Sequence, residues 1–284
     1  MSTITPSTIQ VEHSMEPTRS RLVTVSIAFW HIFRRDLVVT ARSIVPFVMQ
    51  ALVMPTALLY IFGRILPGVG VTQQMYPAMF FPGVVALTIF MASLQGVSLS
   101  LMLDLDGNHE IDDRLLAPLT VGLVALEKVL YAAVRALVAG GLTFVIAYLI
   151  LGNGYQVRTD SLGLLIIVMV LYALSSSALG LVLGAALSAD KIYLLFSLIF
   201  SVALYTGCVY YTWSQVSSIK ILQIITLFNP LSYASEGLRA AMVPPLHGQA
   251  VATLPIFWSL LALVATFVIF LALGTRVFRK RVIS

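Results

Sequence analysis

About six long apolar runs decide what this chain can fold into, because a helix needs roughly 20 apolar residues to cross a bilayer core of about 30 Å. They lie near Ile44–Gly63, Phe81–Leu103, Val129–Leu151, Leu162–Leu187, Ile192–Tyr211 and Leu254–Gly274. Gly, Pro or charge punctuates nearly every gap between them. Lipid offers no partner to an open backbone N–H or C=O, so such spans are helical. A membrane β-barrel would alternate apolar and polar residues, and these runs are continuously apolar. Mean hydropathy is +0.97, and 59% of residues are hydrophobic against 10% charged, which excludes an ordinary soluble domain. An all-α integral membrane protein with six transmembrane helices is expected.

Basic residues orient the spans. Arg19, Arg21, Arg34, Arg35 and Arg42 precede the first run. Arg276, Arg279, Lys280 and Arg281 follow the last. An even number of spans puts both ends on one side, and this bias makes that side the cytoplasm of an inner (plasma) membrane. The connections placed outside carry only Arg64, Arg158, Lys220 and Arg239. The net charge of +5 therefore reflects membrane orientation rather than nucleic-acid binding. Residues 1–18 are polar and lack the apolar core of a signal peptide, so a disordered cytoplasmic tail is expected there. Residues 19–284 form a single transmembrane domain. In "RLVTVSIAFWHIFRRDLVV", Leu22, Ile27, Trp30 and Ile32–Phe33 share an apolar side, with Arg34, Arg35 and Asp36 at the polar end. That pattern fits an interfacial helix, or else an apolar lead-in to the first span. Cys208 stands alone, so no disulfide within the chain is available.

The densest charge lies in "DLDGNHEIDDRLLAPLT", Asp104 to Thr120, between the second and third runs. Asp104, Asp106 and Asn108 begin like a calcium loop. The pattern then fails: His109 stands where the turn glycine belongs, and Leu115 where the bidentate Glu belongs. His109 has no second His or Cys at zinc-ligand spacing. The carboxylates have no apolar wall to separate their pKa values for acid–base work. A short helix fits better. Asn108 can cap it, Glu110, Asp112 and Asp113 favour its N-terminal dipole, and Ile111, Leu115 and Leu116 form an apolar side. Pro118 ends it. Docking into a groove of a cytoplasmic partner would explain such a helix; a solvated turn with incidental charge is the plainer account.

Other polar groups lie near or within the spans. Glu127, Lys128 and Arg135 begin the third, where a charge at membrane depth is costly. Lys128 can snorkel to headgroups. Arg135 lies about 12 Å along the helix from Glu127, too far for an easy direct pair; it serves structure or gating, or it snorkels. "FNPLSYASEGLRAAM" reads as a break at Asn229–Pro230 followed by a short helix in which Glu236 and Arg239 can pair. With the preceding "SIKILQIITLF" it fits a re-entrant hairpin, and equally a surface-lying loop. Ser93, Gln95, Ser98 and Ser100 in the second span, and Phe196, Phe200, Tyr205 and Thr206 in the fifth, suit an amphipathic solute or simple helix packing. Gly180-x-x-x-Gly184 allows close helix approach. No G-x-x-x-x-G-K-[ST] loop for nucleotide phosphates is found, nor any H-E-x-x-H motif, so no catalytic, cofactor-binding or metal residues are assigned.

The order and spacing of these features resemble the membrane subunit (permease) of ATP-binding-cassette type 2 exporters, the family of daunorubicin-type and polysaccharide exporters. The resemblance spans roughly residues 20–284. It rests on the amphipathic first helix, the spans, the charged loop before "LLAPLTVGLVALEKVLYAAVRAL", and the pattern Asn-Pro-x-x-Tyr-x-x-Glu-x-x-Arg at Asn229, Pro230, Tyr233, Glu236 and Arg239. It implies that His109, Glu110, Asp112, Asp113, Arg114, Leu115 and Leu116 belong to a coupling helix seated in the nucleotide-binding subunit. It implies that Arg34, Arg35 and Asp36 sit on a connecting helix touching that subunit. A second permease chain, identical or related, would complete the pathway. Gln95, Ser98, Phe196, Phe200, Tyr205 and Thr206 would then line it. Ile221–Val243 would form outer re-entrant helices. ATP and Mg would bind to two copies of the partner, none to this chain. Relatives carry more basic coupling loops, so a locally basic groove is expected in the partner. An ion-gradient-driven carrier, a non-transporting scaffold or immunity protein, and a lipid-acting enzyme are the alternatives from other classes.

Overall fold

The computed structural model describes residues 21–73, 75–102, 120–152, 155–187, 189–245, 251 and 253–283. The expected tail and the expected coupling helix, His109–Leu116, lie outside the described residues. Among those described, every regular element is a helix. Five helices are long and apolar enough to cross a membrane.

Helix α1 (Arg21–Arg42) leads through Ser43 into α2 (Ile44–Tyr60). A wider π turn at Ile61–Ile65 and a last turn at Leu66–Gly68 extend α2. There Arg64 Nη1 donates to the Ile150 carbonyl at 3.0 Å. Helix α3 (Tyr76–Met102) is the axis of the bundle: 89% of its apolar window is buried, against 28% for α4 (Val121–Leu151) and 11% for α9 (Ile256–Ile283). A helix that is apolar all round can be enclosed on all sides. α3 packs against α2, α4, α5 (Leu162–Ala186) and α8 (Pro230–Met242).

A glycine pair on α5 brings that helix close to the α3 backbone. A Cβ on Gly184 would lie 2.9 Å from Ser98 Cα, and one on Gly180 would lie 3.1 Å from the Leu94 carbonyl oxygen. Ser98 Oγ uses that proximity to donate to the Gly180 carbonyl at 2.8 Å. Ser98 is fully buried, so its expected place on a pathway is corrected here: it belongs to the α3–α5 seam.

The fifth expected span is shorter than its apolar run. It forms α6 (Ala189–Thr206), 18 residues long. α6 nevertheless connects the two ends of the bundle. It begins just beyond α5, whose Gly184 touches Ser98 near the end of α3, and it finishes beside the start of α3, where Gly83 meets Val209. Helix α7 (Lys220–Leu227) and α8 follow at that second end. α9 then returns, and Arg281 Nη1 caps the end of α5 by donating to the carbonyls of Leu187 at 2.7 Å and Gly184 at 3.2 Å. α1 and the last turn of α9 therefore lie at the same end.

Replacing Gly184 with Val forces a branched side chain onto the α3 backbone. The expected cost is about 1–3 kcal/mol, seen as a lower unfolding midpoint of the purified protein. Gly141 has open space around its Cα, so Gly141→Ala should change stability by no more than about 0.5 kcal/mol.

Candidate functional site

Where α6 ends, the chain unwinds. Cys208 adopts a left-handed φ of 52°, and its neighbours' carbonyls are lost to helix hydrogen bonding. Ser232 and Ser235 on α8 donate to the freed carbonyls of Thr206 and Gly207, each at 2.9 Å. Arg239 does the rest. Its Nη2 donates to the carbonyls of Cys208 and, at 3.0 Å, Val209, and its Nε donates to Met79 at the start of α3 at 2.8 Å. Gly83 permits this arrangement, since a Cβ there would stand 2.4 Å from the Val209 oxygen.

Glu236 balances the guanidinium. Its Oε1 accepts from Arg239 Nη1 at 2.6 Å and from the Trp213 amide at 3.0 Å, while Oε2 accepts from the Leu254 amide at 3.2 Å. Glu236 is 0% and Arg239 1% exposed. One ion pair thus ties together α3, the unwound segment after α6, α8 and the approach to α9. The other half of the motif shapes the turn into α8. Asn229 accepts from Leu231 N at 3.0 Å and donates to Ala203 O at 3.1 Å and Thr206 Oγ1 at 2.9 Å. Pro230 occupies the first turn, where its missing N–H is no loss. Tyr233 Oη donates to the Leu227 carbonyl at 2.8 Å and holds α7 to α8. α8 is buried. α7 instead exposes Ile221 and Ile224, and Phe228 just beyond it is exposed too.

The opposite end carries a second polar cluster. Lys128 is 1% exposed and does not snorkel. Its Nζ donates to Ser100 Oγ at 2.9 Å and contacts Asp36 Oδ2 at 3.5 Å. Asp36 was expected at the polar end of α1 with Arg34 and Arg35. Those two are exposed, but Asp36 turns inward. The protein-facing side of α1 is Val25, Ala28, Phe29 and Ile32, and Asp36 extends that i, i+4, i+7, i+11 stripe. Ile27 and Trp30, expected on the apolar side of an interfacial helix, do not face the protein. Both sides of α1 are apolar, so apolarity alone did not choose between them. The spacing of Asp36 from Val25, Phe29 and Ile32 was the available signal. Glu127 is buried beside Lys128 on α4.

From Met79 to Ser100 along α3 is about 30 Å at 1.5 Å per residue, close to the thickness of a hydrocarbon core. The two clusters bracket that length. Between them, α2, α3 and α4 form a narrow cleft lined by Phe47, Gln50, Met54, Met91, Gln95 and Arg135. The Arg135 guanidinium lies 4.6 Å over the Phe47 ring and 5.8 Å from the Tyr131 ring. Gln95 thus lines a cavity, whereas Phe196 and Phe200 pack against the main core and Tyr205 is exposed on α6. Thr206 serves the Asn229 cap. Phe47 and Gln50 were not picked out from the sequence, because nothing in a continuous apolar run marks the side that faces a cleft. No group of His, Cys, Asp and Glu among the described residues could hold a metal ion.

The family described as ABC-2 type transporter matches residues 27–243, from α1 through α8. The chain belongs to this family. A comparison with curated proteins finds no match. The matched span contains both ion-pair clusters and the cleft of this ABC-2 protein. It is the membrane subunit of an ABC transporter, a multi-pass membrane protein whose family implies a separate ATP-binding partner.

Removing one member of a buried pair strands the other, at about 3–5 kcal/mol. Glu236→Ala and Arg239→Met should each lower the unfolding midpoint sharply and open residues 207–219 to protease. The double variant should cost less than the sum, because the sites share one interaction.

Proposed function

We propose that this chain is the permease of an ATP-driven exporter, and that two permease chains, identical or related, enclose a pathway for an amphipathic drug, lipid or glycan-type solute. The observation that carries the reading is the ABC-2 match from α1 through α8. On this reading the chain supplies pathway and coupling, and no bond chemistry. Two copies of the partner subunit bind ATP and Mg.

The Lys128 end faces the cytoplasm, in keeping with the basic residues gathered there and with the rule that basic loops stay inside. α6 counts as the sixth span. The segment His109–Leu116 is the coupling helix, and α1 offers Arg34 and Arg35 to the same partner. The Asp36–Lys128–Ser100 contacts join α1 to α4 and α3, so a push on α1 reaches the bundle axis through a rigid link. α7 and α8 are the outer re-entrant pair, too short to span at 8 and 13 residues. The exposed apolar side chains Leu194, Leu198, Val202 and Tyr205 on α6, with Phe228 beyond α7, suit a second permease chain or lipid.

The test is co-expression with a candidate ATP-binding subunit and measurement of ATPase activity in the purified complex. Asp112→Lys combined with Asp113→Lys should leave insertion intact while ATPase stimulation and transport fall about tenfold or more, since like charges across a docking surface cost several kcal/mol. Unchanged coupling in that variant would reject the acidic segment as the docking element.

A further inference from the structure

We infer that the cleft between α2, α3 and α4 binds the phosphate-bearing headgroup of an amphiphile, with Arg135 as the anion-binding residue. The inference rests on the permease reading and narrows its solute class.

Among the described residues, Arg135 is the one charged side chain lining the cleft. Its Nε is buried and has no hydrogen-bond partner among the described residues. Arg135 is only partly buried, but its enclosed Nε leaves a donor without a partner at the cleft, and an anion there would satisfy it with a charge-assisted hydrogen bond. The nearby acidic residues are not placed to supply one. Asp36 contacts Lys128, which lies seven residues back on α4, about 10 Å along the axis. Glu127 is one residue further.

The cation is also held in position. Phe47 stacks under it at 4.6 Å, and Gly96 leaves room for Nη1, which a Cβ there would approach to 3.8 Å. An oriented planar fork of donors matches two phosphate oxygens better than a point charge would. Gln50 and Gln95 add amide groups at the same cleft, while Thr88 is committed to the Val84 carbonyl at 2.9 Å. Met54, Leu87 and Met91 supply an apolar wall for the chain behind the headgroup. A soluble phosphate compound would satisfy the fork but leave that wall unused, so the amphiphile is favoured.

The full-length protein, purified in an uncharged maltoside detergent, is titrated with fluorescent phosphatidate and with the matching fluorescent diacylglycerol. Phosphatidate should bind about tenfold or more tightly than diacylglycerol. Arg135→Gln should abolish that preference, Arg135→Lys should retain part of it, and Gln95→Ala should reduce it severalfold with Arg135 intact. Excess inorganic phosphate should not displace the lipid. Equal affinity for the two lipids, or an unchanged preference in Arg135→Gln, would overturn the proposal. Displacement by inorganic phosphate would overturn the amphiphile assignment in favour of a soluble phosphate. If Arg135→Gln does not fold, the Lys and Gln95 variants decide the matter alone. No ATP-binding subunit is present in this assay, so its failure is separable from a failure of the ATPase test.

Discussion

A backbone that leaves its helix inside an apolar bundle must find new hydrogen-bond partners within the protein, because lipid supplies none. The segment after Thr206 is in that position, and α8 answers it. Ser232 and Ser235 take the first freed carbonyls, and Arg239 takes the next ones along with Met79. A guanidinium so deeply enclosed would itself be destabilising without Glu236, whose two oxygens also collect the amides of Trp213 and Leu254. The end of α6, the start of α3 and the approach to α9 therefore depend on one pair of side chains three residues apart.

The same rule explains the opposite end. Lys128 could have reached toward water, yet it is enclosed by Ser100 and Asp36. This makes α1 part of the bundle rather than a strap lying over it. With α3 enclosed on all sides and held by polar contacts near Met79 and Ser100, the molecule has a stiff axis with a fixed polar junction at either end. The flanks differ: α4 and α9 keep large apolar faces exposed, and α6 carries Leu194, Leu198, Val202 and Tyr205 outward.

Much of the architecture was legible beforehand. Continuous apolar runs predicted six spanning helices, of which five are long and apolar enough among the described residues, and Gly180 and Gly184 predicted a close helix approach that is found at the α3–α5 seam. The Asn229 to Arg239 pattern predicted a helix after a break and a Glu–Arg pair. Three features were not legible. Ser98 looked like a polar group available to a pathway, although it serves the seam. Asp36 looked like one more polar group at a wet helix end, although it is buried and contacts Lys128 as well as Arg35. Arg135 was recognised as anomalous, but the aromatic ring that holds it lies 88 residues away, at Phe47.

The sequence by itself determined where the chain crosses and where it breaks, because apolar length, proline and capping chemistry act locally along one helix. It also determined which charges needed explanation, since a charge within an apolar run is costly wherever it lands. Only the tertiary structure decided how each charge is matched. Helix α1 is apolar on two sides, so the packing of Val25, Phe29 and Ile32 chose the direction of Asp36. Arg239 meets its carbonyls only because Gly83 lets α3 approach the unwound turn. Those choices depend on the relative rotation of neighbouring helices, and rotation is set by contacts between residues far apart in the chain.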